Sequence, residues 1–223
     1  MKIVKATFSL LAASTLSVQA VSLLQTETFD SPTGWTSGNP NPNPPQINPV
    51  AGPGGIGDPG LLVSSSVGSS AGSRLVTFNT TDWTGNYSGA GVTALSMDLR
   101  NTGSDDLFVR IAVNGPGGWF VTDSQEVGSG LGYATFLFDI TPVSLSPAQD
   151  RSSPLGNDVD ATLASVTQAR ILHNATGGLA IGAVANAELR IDNITAVPEP
   201  KIPVLVGLAL LFCIKRKVRL QEK

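Results

Sequence analysis

Val92-Thr93-Ala94-Leu95-Ser96-Met97-Asp98-Leu99 and Leu107-Phe108-Val109-Arg110-Ile111-Ala112-Val113 decide the fold. In the first run Leu95, Met97 and Leu99 alternate with Ala94, Ser96 and Asp98. In the second, Leu107, Val109, Ile111 and Val113 alternate with Phe108, Arg110 and Ala112. A side-chain period of two belongs to a strand with one face in a core and one outside it. The segment from Asn101 to Asp106 is made of turn formers, so the two runs are expected to pair as a hairpin. Arg110 would then sit across from Asp98 as a surface ion pair.

The same pattern extends in both directions. Strands are expected at 23–29, 61–67, 74–79, 119–122 and 133–140, the last with Ala134, Phe136, Phe138 and Ile140 inward. Segments 171–172, 179–184 and 188–194 close the fold. Gly38 to Gly60 is rich in Asn-Pro and Pro-Gly and reads as a long loop. One short helix is expected, capped by Asp158 or Asp160, with Leu163 and Val166 on its apolar side. Trp35 and Phe138 read as core. The fold class is all-β, an antiparallel jelly-roll β-sandwich with one short helix, and another sandwich topology is the alternative.

The ends have a different composition. In residues 1–20, Lys2 and Lys5 precede an apolar stretch that closes on Val18-Gln19-Ala20. This is the pattern of an export signal helix handled by the Sec machinery and cut by signal peptidase between Ala20 and Val21. The body is 21–196. The tail 197–223 reads Val197-Pro198-Glu199-Pro200, an apolar run over 202–214 and a basic cluster over 215–219. The run is short against the roughly 20 residues of a spanning helix. With flanking Lys it still suits a C-terminal membrane helix, with the basic end held on the cytoplasmic side.

This order of motif, short apolar helix and basic end resembles the PEP-CTERM sorting signal of Gram-negative bacteria. The resemblance implies processing at Pro198, Glu199 and Pro200 by an exosortase, after transient residence in the inner membrane. Release to the cell surface or a biofilm matrix of exopolysaccharide would follow. An uncut membrane anchor is the alternative. In the body, Thr28-Phe29-Asp30 with Gly34-Trp35, and Leu189-Arg190-Ile191-Asp192-Asn193-Ile194, resemble the two ends of galactose-binding-like, carbohydrate-binding-module jelly rolls. That resemblance implies a structural Ca²⁺ shared by Asp30 and Asp192, whose hard oxygens suit the ion.

Charge and chemistry narrow the function. The whole chain carries −3, but residues 21–200 hold six Arg, no Lys and 16 Asp or Glu, so 6 − 16 = −10. Such a body is not built for nucleic acid or an anionic membrane surface. The single cysteine, Cys213, is in the tail, so the body has no disulfide. Gly68 to Gly72 matches Gly-x-Ser-x-Gly, but a strand follows it where a nucleophile elbow needs a helix. His173 is the one histidine and reads as structural. No catalytic residues are assigned, and the body is expected to be non-enzymatic. For sugar binding the available parts are Trp83, Tyr87, Arg110, Trp119 and Tyr133, rings to stack on a pyranose and a planar cation for hydroxyls. The competing classes are a polysaccharide-acting enzyme with a carboxylate pair and a structural surface protein without a ligand.

Overall fold

The computed structural model describes residues 20–198 apart from 32, 39–40, 69–70 and 152. The expected signal segment through residue 19, Glu199 and Pro200 of the motif, the apolar run and the basic cluster lie outside the described residues. The strands in chain order are β1 (Thr26–Glu27), β2 (Trp35–Thr36), β3 (Gln46–Asn48), β4 (Gly60–Ser65), β5 (Val76–Asn79), β6 (Val92–Asn101) and β7 (Leu107–Gly115). They continue with β8 (Gly118–Val121), β9 (Gln125–Val127), β10 (Ala134–Asp139), β11 (Ser146–Ala148), β12 (Gln168–His173) and β13 (Ala187–Pro198). Two short helices are α1 (Tyr87–Ala90) and α2 (Val159–Ala164).

The strands form two antiparallel sheets. A six-stranded sheet runs β10-β6-β13-β4-β3, with β1 also on β13. A seven-stranded sheet runs β11-β8-β7-β12-β5-β2, with β9 also on β7. Their facing sides close on one core. Leu61, Leu95, Met97, Leu99, Leu189 and Ile191 come from the first sheet and Leu107, Val109, Ile111, Val113 and Ile171 from the second, all at 2% exposure or less. The molecule is a jelly-roll β-sandwich. Trp35 and Phe138 are buried, as their sequence context implies.

The helices follow local rules. The Asp158 side chain accepts the Ala161 N–H and caps α2, while Leu163 and Val166 are buried. A second helix, α1, was not expected. Asn86 caps it through Gly89 N–H, and Gly91 ends it in the left-handed region at φ 73°, where a side chain would be strained.

The expected hairpin does not form. The periodicity of β6 and β7 is right, but β6 pairs with β10 and β13, while β7 pairs with β8, β9 and β12 in the other sheet. Segment 101–106 crosses between the sheets because its polar groups bond to the start of β13. Thr102 N–H donates to Glu188 O, Ser104 N–H donates to Asn186 O, and Asp105 accepts Asn186 N–H. Gly103 lies so close that a Cβ there would meet Ala187 Cα at 2.3 Å. Arg110 and Asp98 therefore stand on opposite sides of the molecule, and their expected ion pair is absent. Segment 179–184 is also corrected: it is a loop with isolated bridges, Gln149 to Leu179 and Arg74 to Val184.

Candidate functional site

The outer face of the six-stranded sheet is read off the register. Arg100 of β6 faces Arg190 of β13, and Arg190 faces Leu62 of β4. Ala134 pairs with Leu99, so Tyr133 continues the row on the other side of Arg100. The Arg100 guanidinium carbon lies 5.9 Å from the Tyr133 ring centre. The next row places Thr135 opposite Asp98 and Asp98 opposite Asp192. One face of four adjacent strands thus gathers an aromatic ring, two guanidinium groups and two carboxyl groups.

A loop over 49–59 lies against one side of this face. Tyr133 Oη donates to Ala51 O, and Arg190 Nη1 donates to Val50 O at 3.3 Å. Arg190 also pairs with Glu188 at 3.1 Å. Glu188 in turn accepts the Thr102 hydroxyl at 2.6 Å. It forms part of an open polar groove of about 480 Å³ lined by Ser64, Thr102, Gly103, Ser104, Asn186 and Glu188. The groove therefore abuts the Arg190–Arg100–Tyr133 row. Hydroxyls, an amide, a planar cation and a ring on one open surface are the parts that hold a sugar.

Asp192 is 1% exposed. Burial pushes its carboxyl up to about 6. The Asn193 N–H bond opposes this, and Asp58, Asp98 and Asp30 add to it. Asn193, at φ 51° in a bulge of β13, turns its amide to Asp98 at 2.9 Å. Asp30 is exposed, accepts the Thr28 hydroxyl at 2.6 Å and acts on Asp192 as the last of these neighbours. Carboxyl groups of this kind have the hard-oxygen chemistry of Ca²⁺. Among the described residues no three acids, histidines or cysteines close around a point, so backbone carbonyls would have to complete any shell. Asp98 and Asp192 also form a directly opposed carboxyl pair, but Asp192 is sealed from any substrate.

The four other residues singled out from sequence for ligand binding are elsewhere. Trp83 and Tyr87 are fully buried, and Tyr87 Oη donates to Trp83 O at 3.1 Å. Both belong to the core: Tyr87 opens α1, and the Trp83 backbone N–H donates to Asn79 Oδ1 at 3.2 Å. Trp119 points outward from the seven-stranded sheet, but the Arg170 guanidinium covers its ring at 3.9 Å. Arg170 is held there by Asp150 at 2.8 Å and by Ala180 O at 2.6 Å. Arg110 donates to Asn174 O and Thr122 O, both at 2.7 Å, and to Ala175 O at 3.3 Å. It pins a loop and has no fork left for a ligand. His173 is buried, accepts Phe108 N–H at 2.9 Å, and burial lowers its pKa.

The sequence matches no family model and no curated protein. Solved structures do match. The chain aligns over 80% of its length with 97% of a family 11 carbohydrate-binding module from Clostridium thermocellum, in complex with a β-1,3-1,4-mixed-linked tetrasaccharide, at 16% identity and TM-score 0.50. The solution structure of a module of the same family aligns at 16% identity over 79% of this chain and 95% of that one, TM-score 0.52. The body has a carbohydrate-binding-module fold. An exo-β-agarase matches at 15% identity and TM-score 0.52, over 80% of this chain but only 25% of that one. The structures matched nearly end to end are thus binding modules, and the enzyme is matched over a quarter of its length.

Proposed function

We propose that this chain is an exported cell-surface or matrix protein whose β-sandwich body binds carbohydrate, without catalysis, on the outer face of the six-stranded sheet. The observation that carries the reading is the juxtaposition of Tyr133 and Arg100 with the hydroxyl-lined groove at Glu188. The mixed-linkage glucan bound by the family 11 module gives a first ligand class to try. The full-length chain, applied to an array of plant, algal and bacterial glycans, is expected to be retained on a defined subset. Tyr133→Ala should lose that retention. Retention unaffected by Tyr133→Ala would place the site elsewhere.

Export and sorting belong to the same proposal. Ala20 is exposed, whereas Val21 is buried and donates its N–H to Thr84 O at 2.8 Å. Cleavage between them would leave the packed body intact. At the other end β13 stays paired through Val197 and Pro198, opposite Ala94 and Val92. The exosortase-type peptidase would therefore work at the margin of the sheet. The mature surface form is expected to start at Val21 and to lack everything from about Lys201 onward. Mass spectrometry of the surface fraction from the native host decides this, and intact C-terminal peptides there would refute it.

The structural Ca²⁺ at Asp192 and Asp30 is also proposed, on the strength of the carboxyl groups of Asp58, Asp98 and Asp30 acting on Asp192. A polysaccharide-acting enzyme is the second reading. The opposed Asp98–Asp192 pair favours it, and the burial of Asp192 opposes it.

A further inference from the structure

We infer that the ligand of this face is an anionic glycan, and that Arg100 takes the carboxylate of a uronate residue beside Tyr133. The inference rests on the carbohydrate reading above and adds the charge of the sugar.

The arginines of the body are otherwise spent or exposed. Arg74 donates to Gly182 O, Arg110 to three carbonyls, Arg170 to Asp150 and Ala180 O, and Arg190 to Glu188 and Val50 O. Arg151 lies exposed in a loop. Arg100 alone is half-buried without an acceptor among the described residues, and its Nε is buried with no partner. Its one aromatic neighbour, Tyr133, supplies a ring face and no oxygen bond. A desolvated donor without an acceptor is destabilising, and more so when it is charged.

The neighbours do not relieve it. Directly opposite stands Arg190, another cation, and like charges in that position are destabilising. Asp98 shares the outer face of β6, yet its oxygens are taken by the Thr135 hydroxyl and the Asn193 amide. The fold thus covers Nε and keeps the Nη donors of a planar cation unbonded beside an aromatic ring and a polar groove. A carboxylate matches that fork with two parallel hydrogen bonds, which a neutral hydroxyl does not. Residues 21–200 carry −10 overall, so attraction comes from this contact and not from the field of the domain.

Calorimetry of the purified full-length chain tests this with three probes: an oligomer of galacturonic acid, its methyl ester, and a mixed-linkage β-glucan oligosaccharide. The acid is expected to bind about tenfold or more tighter than the ester. Arg100→Lys, which keeps the charge and loses the fork, should weaken binding of the acid about severalfold while leaving the melting temperature unchanged. Equal binding of acid and ester, or of acid by wild type and Arg100→Lys, overturns the anionic assignment and leaves the carbohydrate reading standing. A large fall in melting temperature for Arg100→Lys would make Arg100 structural and overturn it too. Failure of all three glycans to bind removes the inference together with the reading beneath it.

Discussion

Arg100 and Arg190 face each other across β6 and β13, and only Arg190 has acceptors. A pair of like charges kept side by side on a sheet is not explained by stability. It leaves one guanidinium available at the surface where the ring of Tyr133 and the polar groove meet.

Their substitutions should therefore differ in effect. Arg190→Gln loses a partly exposed ion pair and a bond that ties down the loop over 49–59. It is expected to cost about 1 kcal/mol. Arg100→Met removes a guanidinium that has no hydrogen-bond acceptor among the described residues and should leave stability unchanged or raise it. Urea unfolding of both variants checks this. A greater loss for Arg100→Met would mean that its guanidinium supports the fold.

Tryptophan fluorescence should be silent towards ligand. Trp35 and Trp119 are 6% exposed and Trp83 is 0%. Emission should be blue-shifted, poorly quenched by iodide, and unchanged on saturation with a bound glycan. A marked change on binding would return Trp119, and the outer face of the seven-stranded sheet, to consideration.

The sandwich was legible because alternation of the kind seen at Leu95, Met97 and Leu99 reports burial on one face directly. Alternation is silent about partners. The crossover at 101–106 is fixed by bonds from Thr102, Ser104 and Asp105 to Asn186 and Glu188, more than 80 residues away. Without that crossover, alternation alone sets Arg110 against Asp98 and gives no reason to single out Arg100. The site escaped for the same reason: Tyr133, Arg100 and Arg190 come together only through the β10-β6-β13 register. Trp83 and Tyr87 are available rings by residue type, but their sequence does not reveal that both are packed in the core. Asp158, by contrast, caps α2 by a rule confined to four residues, so it could be read directly.

Tyr87 is expected to matter for folding only. Tyr87→Phe removes its bond to Trp83 O and should cost about 1 kcal/mol. Tyr87→Ala empties a fully buried site and should cost roughly 3–5 kcal/mol. Glycan affinity of the folded Tyr87→Phe protein should equal that of wild type. A specific loss of affinity would contradict its placement in the core.

Asp192 predicts a pH dependence with a definite sign. Its folded pKa is pushed up to about 6, above an unfolded value of about 3.9. The folded state therefore holds the proton more tightly, and stability from this group is lost as pH rises from about 4 through 6. In chelator, Asp192→Asn should raise the melting temperature relative to wild type more at about pH 7.5 than at about pH 4.5. If Asp30 and Asp192 share Ca²⁺, adding the ion at the higher pH should stabilise wild type by mass action and not the variant. Identical melting curves with Ca²⁺ and with chelator would reject the metal proposal.

Fluorotyrosine labelling reads the site itself, because the chain has two tyrosines and only one of them, Tyr133, reaches the surface. The labelled protein should give two fluorine resonances, assigned by Tyr87→Phe. On titration with a glycan that the chain binds, the Tyr133 resonance should move saturably at the concentration that half-saturates binding, while the Tyr87 resonance stays in place. Saturable binding with the Tyr133 resonance unmoved would contradict a carbohydrate site on the outer face of the six-stranded sheet.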